Sequence, residues 1–315
     1  MWSMKVTISI PIVEIPMPDD IDGILLLDKP LGVSSAGAVA RVKHLFNARK
    51  AGHTGSLDPL ASGMLPICFG EATKFGSQLL CADKTYRVTA RLGERTPSAD
   101  RESEVIERRE LPPYSREELI RALAEFPRQY SQIPPMHSAL KQDGKPLYEY
   151  ARAGITRERA ARSIVIHDLQ LLDWNPPDLS FDVHCTKGAY IRVLAEDLAA
   201  QLGTIAHLAA LRRLSVAPFS SEPSWTLAAL AAMSATQRLA LLLPVDAALS
   251  GCRRLDLPAA GVGAFRQGQT VSVSGACPGT VRIYSEGLGF LGLGEVEVPG
   301  RLVPLRLISA SAHRA

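Results

Sequence analysis

Ala51-Gly-His-Thr-Gly-Ser-Leu-Asp-Pro-Leu-Ala-Ser-Gly63 holds one carboxylate, Asp58, in a stretch whose only other ionisable side chain is His53. The proline after Asp58 disfavours helical backbone at that residue, and Gly52, Gly55 and Gly63 permit tight turns on either side. The stretch therefore reads as an irregular loop that presents one acid beside one imidazole. Loops cross the surface and carry chemistry more often than the elements they join. A plain strand-to-strand connection, with Asp58 as an ordinary turn residue, would use the same residue types.

Outward from this stretch, short apolar runs alternate with turn residues. Residues 23–27 read as a buried strand, ended by Lys29-Pro30 and Gly32. Ser34 or Ser35 can cap a helix to about residue 47, with Val39, Val42 and Phe46 inward. After the loop come a strand over 64–69 and a helix over about 71–81. Tyr86, Val88, Ala90 and Leu92 share one face of a strand, and Arg87, Thr89 and Arg91 the other. Ser115-Arg-Glu-Glu118 has capping-box spacing ahead of Leu119, Leu123 and Phe126. Residues 180–185 alternate as a strand, and a helix over about 190–202 is closed by Gly203. Residues 225–243, rich in Ala and Leu, read as a helix that Pro244 stops. From 254 onward short strands alternate with Gly and Pro turns, with one helix starting at Pro258, the pattern of a small barrel-like β domain.

At 315 residues the chain has room for two domains, and 46% hydrophobic with 21% charged residues is enough apolar material for a full core. No stretch approaches the roughly 20 apolar residues of a membrane span, so no membrane partner is expected. The first ten residues are mildly apolar, but Glu14, Asp19, Asp20 and Asp22 follow without a cleavage pattern; they read as a short extension. Cys68, Cys81, Cys185, Cys252 and Cys277 lie scattered, which argues against disulfides or a zinc site and for a reducing cytoplasm. His44, His137, His167, His184 and His207 lack metal-binding spacing, and there is no P-loop, GxGxxG after a strand or HExxH. Neither metal nor cofactor is expected. A net charge of +3 does not announce a nucleic-acid partner by itself. Arg41, Lys43, Arg49 and Lys50 stand just ahead of the loop with no acid among them, as a solvated helix face also would.

The stretch from Gly52 to Pro66, with Gly70-Glu-Ala-Thr-Lys74 after it, resembles the catalytic motif of the bacterial TruB family. That family of tRNA pseudouridine synthases isomerises uridine 55 in the T arm of tRNA. Gly23-Ile-Leu-Leu-Leu-Asp-Lys-Pro30, Lys84-Thr-Tyr-Arg87, Lys187-Gly-Ala-Tyr-Ile-Arg192 and Leu211-Arg-Arg-Leu214 match in family order. The resemblance spans residues 21–245 and is weaker beyond. It implies an α+β fold: a central mixed, largely antiparallel sheet flanked by helices, then a small C-terminal β-barrel-like PUA domain that binds RNA. The implied division is an N-terminal extension (1–20), a catalytic domain (21–245) with a T-arm-gripping insertion at about 95–155, and a PUA-like domain (250–310).

The implied reaction breaks the uridine N1–C1′ bond, turns the base and joins C5 to C1′. It is redox-neutral and needs one carboxylate rather than a cofactor. By resemblance, Asp58 is the catalytic carboxylate and Arg192 the cation that pairs with it. Such a partner is needed because burial disfavours the charged carboxylate. Tyr86 and Tyr190 would contact the extruded uracil, Leu211 would wall its pocket, and His53 would fill the vacated stack. Tyr86 is equally suited to a core, and an amphipathic helix through residues 211–214 would bury Leu211 for its own reasons. Lys29-Pro30 is read as support for the loop. Ser56, Ser62, His137 and Ala189 depart from the usual family residues without removing a reacting group. The expected partner is the T arm of tRNA, and the expected enzyme a cytoplasmic monomer. A guide-RNA-dependent synthase is the first rival, disfavoured by the 95–155 segment. A non-catalytic RNA-binding protein is the second, disfavoured by Asp58, Arg192 and Tyr86 occurring together.

Overall fold

The computed structural model describes residues 19–298 and 300–309; residues 1–18 of the expected extension, and residue 310, lie outside the described residues. The chain begins with β1 (Gly23–Lys29), helix α1 (Ser35–Leu45), β2 (Ala51–His53) and β3 (Ala61–Phe69). A 3-10 turn (Gly70–Phe75) runs into α2 (Gly76–Cys81), followed by β4 (Lys84–Leu92). The segment after β4 carries two small ladders, β5 (Glu94–Arg95) with β6 (Glu107–Arg108), and β8 (Lys141–Gln142) with β9 (Lys145–Pro146). Between and beyond them lie α3 (Arg116–Glu125), β7 (Gln129–Gln132) and α4 (Leu147–Arg152). Then come β10 (Arg162–Asn175), β11 (Asp178–Cys185), α5 (Ile191–Gln201), β12 (Ala206–Val216) and β13 (Trp225–Thr226).

The expected mixed, largely antiparallel sheet has the order β13-β1-β3-β12-β4-β11-β10-β7, with β2 beside β3. The β1–β13 and β3–β12 pairs run parallel. Alternation puts Tyr86, Val88, Ala90 and Leu92 of β4 and Phe181, Val183 and Cys185 of β11 into one core. Leu194, Ala195, Leu198 and Ala199 of α5 close over that face. Each fully buried leucine or phenylalanine contributes about 1.5–3 kcal/mol here. Helix α1 starts at Ser34, whose hydroxyl accepts from Gly37 N, and α3 starts with the capping box of Ser115 and Glu118.

The C-terminal β module is a five-stranded sheet, β14 (Arg253–Asp256), β15 (Val271–Ser272), β16 (Gly279–Ser285), β17 (Gly289–Val298) and β18 (Arg301–Leu307), in the order β14-β16-β17-β18-β15. Helix α8, labelled after two short helices described next, spans Ala259–Arg266 and buries Val262 and Phe265 against Val281, Ile283, Val296 and Leu302.

Four local expectations need correction. The motif loop is shorter than 51–63, because β2 pairs with the far end of β3 and the first residues of β3 pair with β12, which leaves residues 54–60 irregular. Residues 71–81 are a 3-10 turn and then α2, not a single helix. The 225–243 helix is broken: β13 takes its start, and α6 (Leu227–Ala232) ends at Met233 because Ser234 caps a new helix, α7 (Ala235–Leu239), with Gln237. Leu211 lies on strand β12, so an amphipathic helix does not account for its burial.

Gly63 shows why the motif needs a glycine where β3 meets β12. Its φ is +103°, and a Cβ there would sit 2.2 Å from the carbonyl oxygen of Arg213, its partner across the pair. Gly63→Ala is therefore expected to lower the unfolding free energy by about 2–4 kcal/mol, read as an earlier urea midpoint. A loss below roughly 0.5 kcal/mol would contradict this close approach.

Candidate active site

The short irregular segment between β2 and β3 is tied down at both ends. Ser35 Oγ, at the start of α1, donates to Leu57 O at 2.9 Å and accepts from Leu57 N at 2.8 Å. Pro59 O accepts from Gly32 N, and Asp58 O accepts from Ala61 N. Leu57 and Leu60 are buried beside these anchors. Asp58 is thus held between two buried leucines, with its carboxylate turned to a cleft of about 380 Å³. A larger open hollow of about 790 Å³ lies on the C-terminal sheet by Arg254 and Glu286. Chemistry rather than size selects the first.

Arg192, the second residue of α5, is buried and reaches Asp58 Oδ2 with Nη2 at 3.0 Å. The same guanidinium lies 3.5 Å from Asp100 Oδ2 and donates to Ser98 O at 3.1 Å and His137 O at 2.6 Å. Asp100 Oδ1 accepts from Ser98 Oγ at 2.6 Å and Glu102 N at 3.0 Å. Burial pushes the Asp58 carboxyl above its ordinary range, Arg192 and Lys29 oppose that, and the Asp100 charge adds to it; the net direction is upward.

Tyr86 and Leu211 come from neighbouring strands and, with Tyr190, face Asp58 across the same cleft. Tyr86 stands opposite Arg213 in the β4–β12 ladder, and burial raises its phenol. Gln132 brackets the Tyr190 backbone, accepting from its N–H at 2.7 Å and donating to its carbonyl at 3.0 Å. Five of the six residues singled out in the sequence thus share one cleft. His53 does not line it: it ends β2, paired with Ile67, and its buried Nδ1 meets no partner among the described residues. Burial, and then the charge of Arg213, lower its pKa.

Four further residues build the site: Lys29 was read as support for the loop, whereas Arg213, Lys84 and Asp100 were not singled out. Arg213, 1% exposed, donates to Met64 O at 2.6 Å and Gly55 O at 3.1 Å, lashing the motif to β12. Lys29, fully buried, donates to Pro30 O and Val33 O, and burial brings it to about 8. Lys84 lines the cleft and is brought to about 8 in the same way. Asp100 sits in a stretch with no signal of its own beyond Ser98 two residues before it. Arg213 was visible only as half of an Arg-Arg pair in a run that also suits a helix; on strand β12 alternation sends Arg212 outward to Asp28 and Arg213 inward.

Asp58 and Asp100 sharing one buried arginine, with aromatic and apolar walls opposite on a mixed sheet, fit the pseudouridine synthase class. Solved structures share the fold across nearly the whole chain. A Cbf5-Nop10-Gar1 complex matches with a TM-score of 0.69 and 24% identity, over 91% of this chain and 84% of that one. An H/ACA RNP bound to a substrate RNA containing 2′-deoxyuridine matches with 0.70 and 22%, over 92% and 86%. Residues 43–191 match the TruB family pseudouridylate synthase N-terminal domain, 192–250 the tRNA pseudouridylate synthase B C-terminal domain, and 254–308 the pseudouridine synthase II TruB C-terminal domain. The tRNA pseudouridine synthase B of Sodalis glossinidius is 51% identical over 92% of this chain and 96% of its own. That of Aromatoleum aromaticum is 48% identical over 93% and 94%. The chain belongs to the TruB family of pseudouridylate synthases.

The raised Asp58 carboxyl has a stability consequence. A folded-state pKa above the unfolded one means a contribution that is complete below the ordinary carboxylate range and lost as pH rises through the raised value. At pH 8 the folded protein therefore carries the full penalty of the charge. Asp58→Asn is expected to melt higher than wild type at pH 8, by roughly 2–4 °C for each kcal/mol relieved, with the gap closing towards pH 4. Melting below wild type at pH 8 would show that Arg192 and Lys29 outweigh burial.

Proposed function

We propose that this protein converts uridine 55 in the T arm of tRNA to pseudouridine, without guide RNA or cofactor, as a cytoplasmic monomer with Asp58 as the catalytic carboxylate. The observation that carries the reading is Asp58 itself, gripped by Arg192 on one side and open to an aromatic cleft on the other. Membership of the TruB family and close relatives named tRNA pseudouridine synthase B support the substrate class.

The chain's own residues supply each need of the reaction. The uridine leaves its stack and enters the cleft, where Tyr86 offers a ring face, Leu211 an apolar wall and Tyr190 a second contact. His53, neutral because burial and Arg213 disfavour its charge, suits insertion into the vacated stack. Asp58 then meets the sugar edge. A carboxylate there can add to C1′, add to C6 of the base, or take a ribose proton towards a glycal; all three require it ionised. Arg192 favours that form, and the proton lost from C5 when it bonds to C1′ is balanced by the proton gained at N1, so no co-reactant is consumed. Recognition of the T arm rests on its folded shape and splayed bases, because A-form grooves hide base edges. The segment at 95–155 reaches the cleft from one side through Ser138, Ala139 and Leu140, which fits a grip on the substrate without a guide.

Unmodified tRNA transcript, incubated with the full chain and EDTA, is expected to gain pseudouridine at the T-arm uridine. Asp58→Asn should lose at least about 10³-fold in single-turnover rate. Tight tRNA binding without conversion by wild type would sink the proposal. The acid limb of the rate should lie above the ordinary carboxyl value of about 4. Asp100→Asn removes a charge that raises the Asp58 pKa, so its acid limb should move to lower pH whatever happens to the plateau. An unmoved or upward limb would assign the titration to another group.

A further inference from the structure

On the outward face of the sheet, one group of side chains plays no part in the cleft. Asp83 stands just ahead of β4, His167 on β10 and His184 on β11, and one ligand atom from each lies within 4.8 Å of the others. His167 Nε2 is 3.0 Å from Asp83 Oδ2, and the two imidazole centroids are 4.7 Å apart at 43°. We propose that Asp83, His167 and His184 form an open three-ligand site for a divalent transition-metal ion, with zinc the best suited.

A fold-level device assembles the site. In the β10–β11 ladder Ile166 pairs with Cys185 and Asp168 with His184, so His167 is the extra residue of a bulge. A bulge re-aims the side chain it carries, and here it sets His167 and His184 on one face. The backbones beneath are fixed. Arg128 O accepts from Ile166 N, Arg128 Nη1 donates to His167 O, and Asp83 O accepts from Ala217 N. The nearby cation, Arg128, is engaged with that carbonyl and lies 3.9 Å from Asp168. Two imidazoles and one carboxylate on a held backbone are a common zinc donor set, leaving room for water in the remaining positions. His167 and Asp83 are each more than a third exposed, so an ion can enter from solvent. The spacing along the chain gives no hint of the site, because three separate elements supply one ligand each.

The test uses untagged, chelator-stripped full-length protein carrying Cys81→Ser and Cys277→Ser, since exposed thiols also take zinc. Zn²⁺ is titrated against a chromogenic chelator, alone and with each further substitution. One saturable equivalent with micromolar affinity is expected, weakened at least about tenfold by His167→Ala, His184→Ala or Asp83→Ala. Excess Zn²⁺ should raise the melting temperature by roughly 2–4 °C and perturb the ring signals of His167 and His184 in NMR spectra. Absence of a saturable equivalent, or affinity unchanged in all three variants, would overturn the site. So would perturbation confined to other histidines, which reads out without any substitution.

Discussion

Everything in the cleft is arranged around the guanidinium of Arg192. It meets Asp58, Asp100, the carbonyl of Ser98 and the carbonyl of His137. These partners belong to three segments far apart in the chain, so one side chain joins the motif loop, the turn after β4 and the stretch before α4. A buried arginine is tolerable only when its donors are matched, and here Asp100 and the two carbonyls still match them when the partly exposed Asp58 loses its charge. The same contacts that hold Asp58 therefore hold the fold of the surrounding loops.

Behind this pair stands a second layer of cations. Arg213, Lys29 and Lys84 are all buried, and each donates to backbone carbonyls of the segments that frame the cleft. Burial lowers the pKa of all three. It raises Asp58 by the same physics, and the opposing charges leave that carboxyl above its usual range yet still close to a cation. A group so balanced changes protonation readily when a substrate displaces water or a neighbouring charge is removed. The site is poised by competition between burial and charge, not by either alone.

Much of this was legible in the residues. Asp58 stood out as the lone acid of a glycine-bounded stretch, and Tyr86 fell into place with the strand that carries it, whereas the strand under Leu211 was not read. Period-two alternation in β4 and β11 and the caps at Ser34 and Ser115 were equally plain. What was not legible depends on long-range pairing. Asp100 lies in a polar turn with no pattern, and only its approach to Arg192 gives it meaning. Ser35 reads as a helix cap, yet its hydroxyl spends both its bonding directions on Leu57. The helix over 225–243 failed because apolar composition hid a capping box at Ser234 and a parallel pairing of Trp225 with Leu27. The bulge at His167 likewise exists only in the pairing of two strands.

Strand β3 connects these layers in a way that composition could not reveal. It begins three positions after Asp58, touches Arg213 at Gly63, and runs through the core to Phe69. The 3-10 turn that follows is the anchor for the C-terminal sheet. Glu71 accepts from Ser309 N at 2.6 Å, Lys74 donates to Leu307 O at 3.1 Å, and Phe75 packs edge-on against Phe290 at 5.4 Å. Phe75, Leu249 and Leu293 form a small apolar cluster beneath these polar contacts. Glu71 is held below the usual carboxylate range by its bonds to Lys74 and Ser309, although burial works against it. A single buried strand thus sets the register between the loop that holds Asp58 at one end and the C-terminal module at the other.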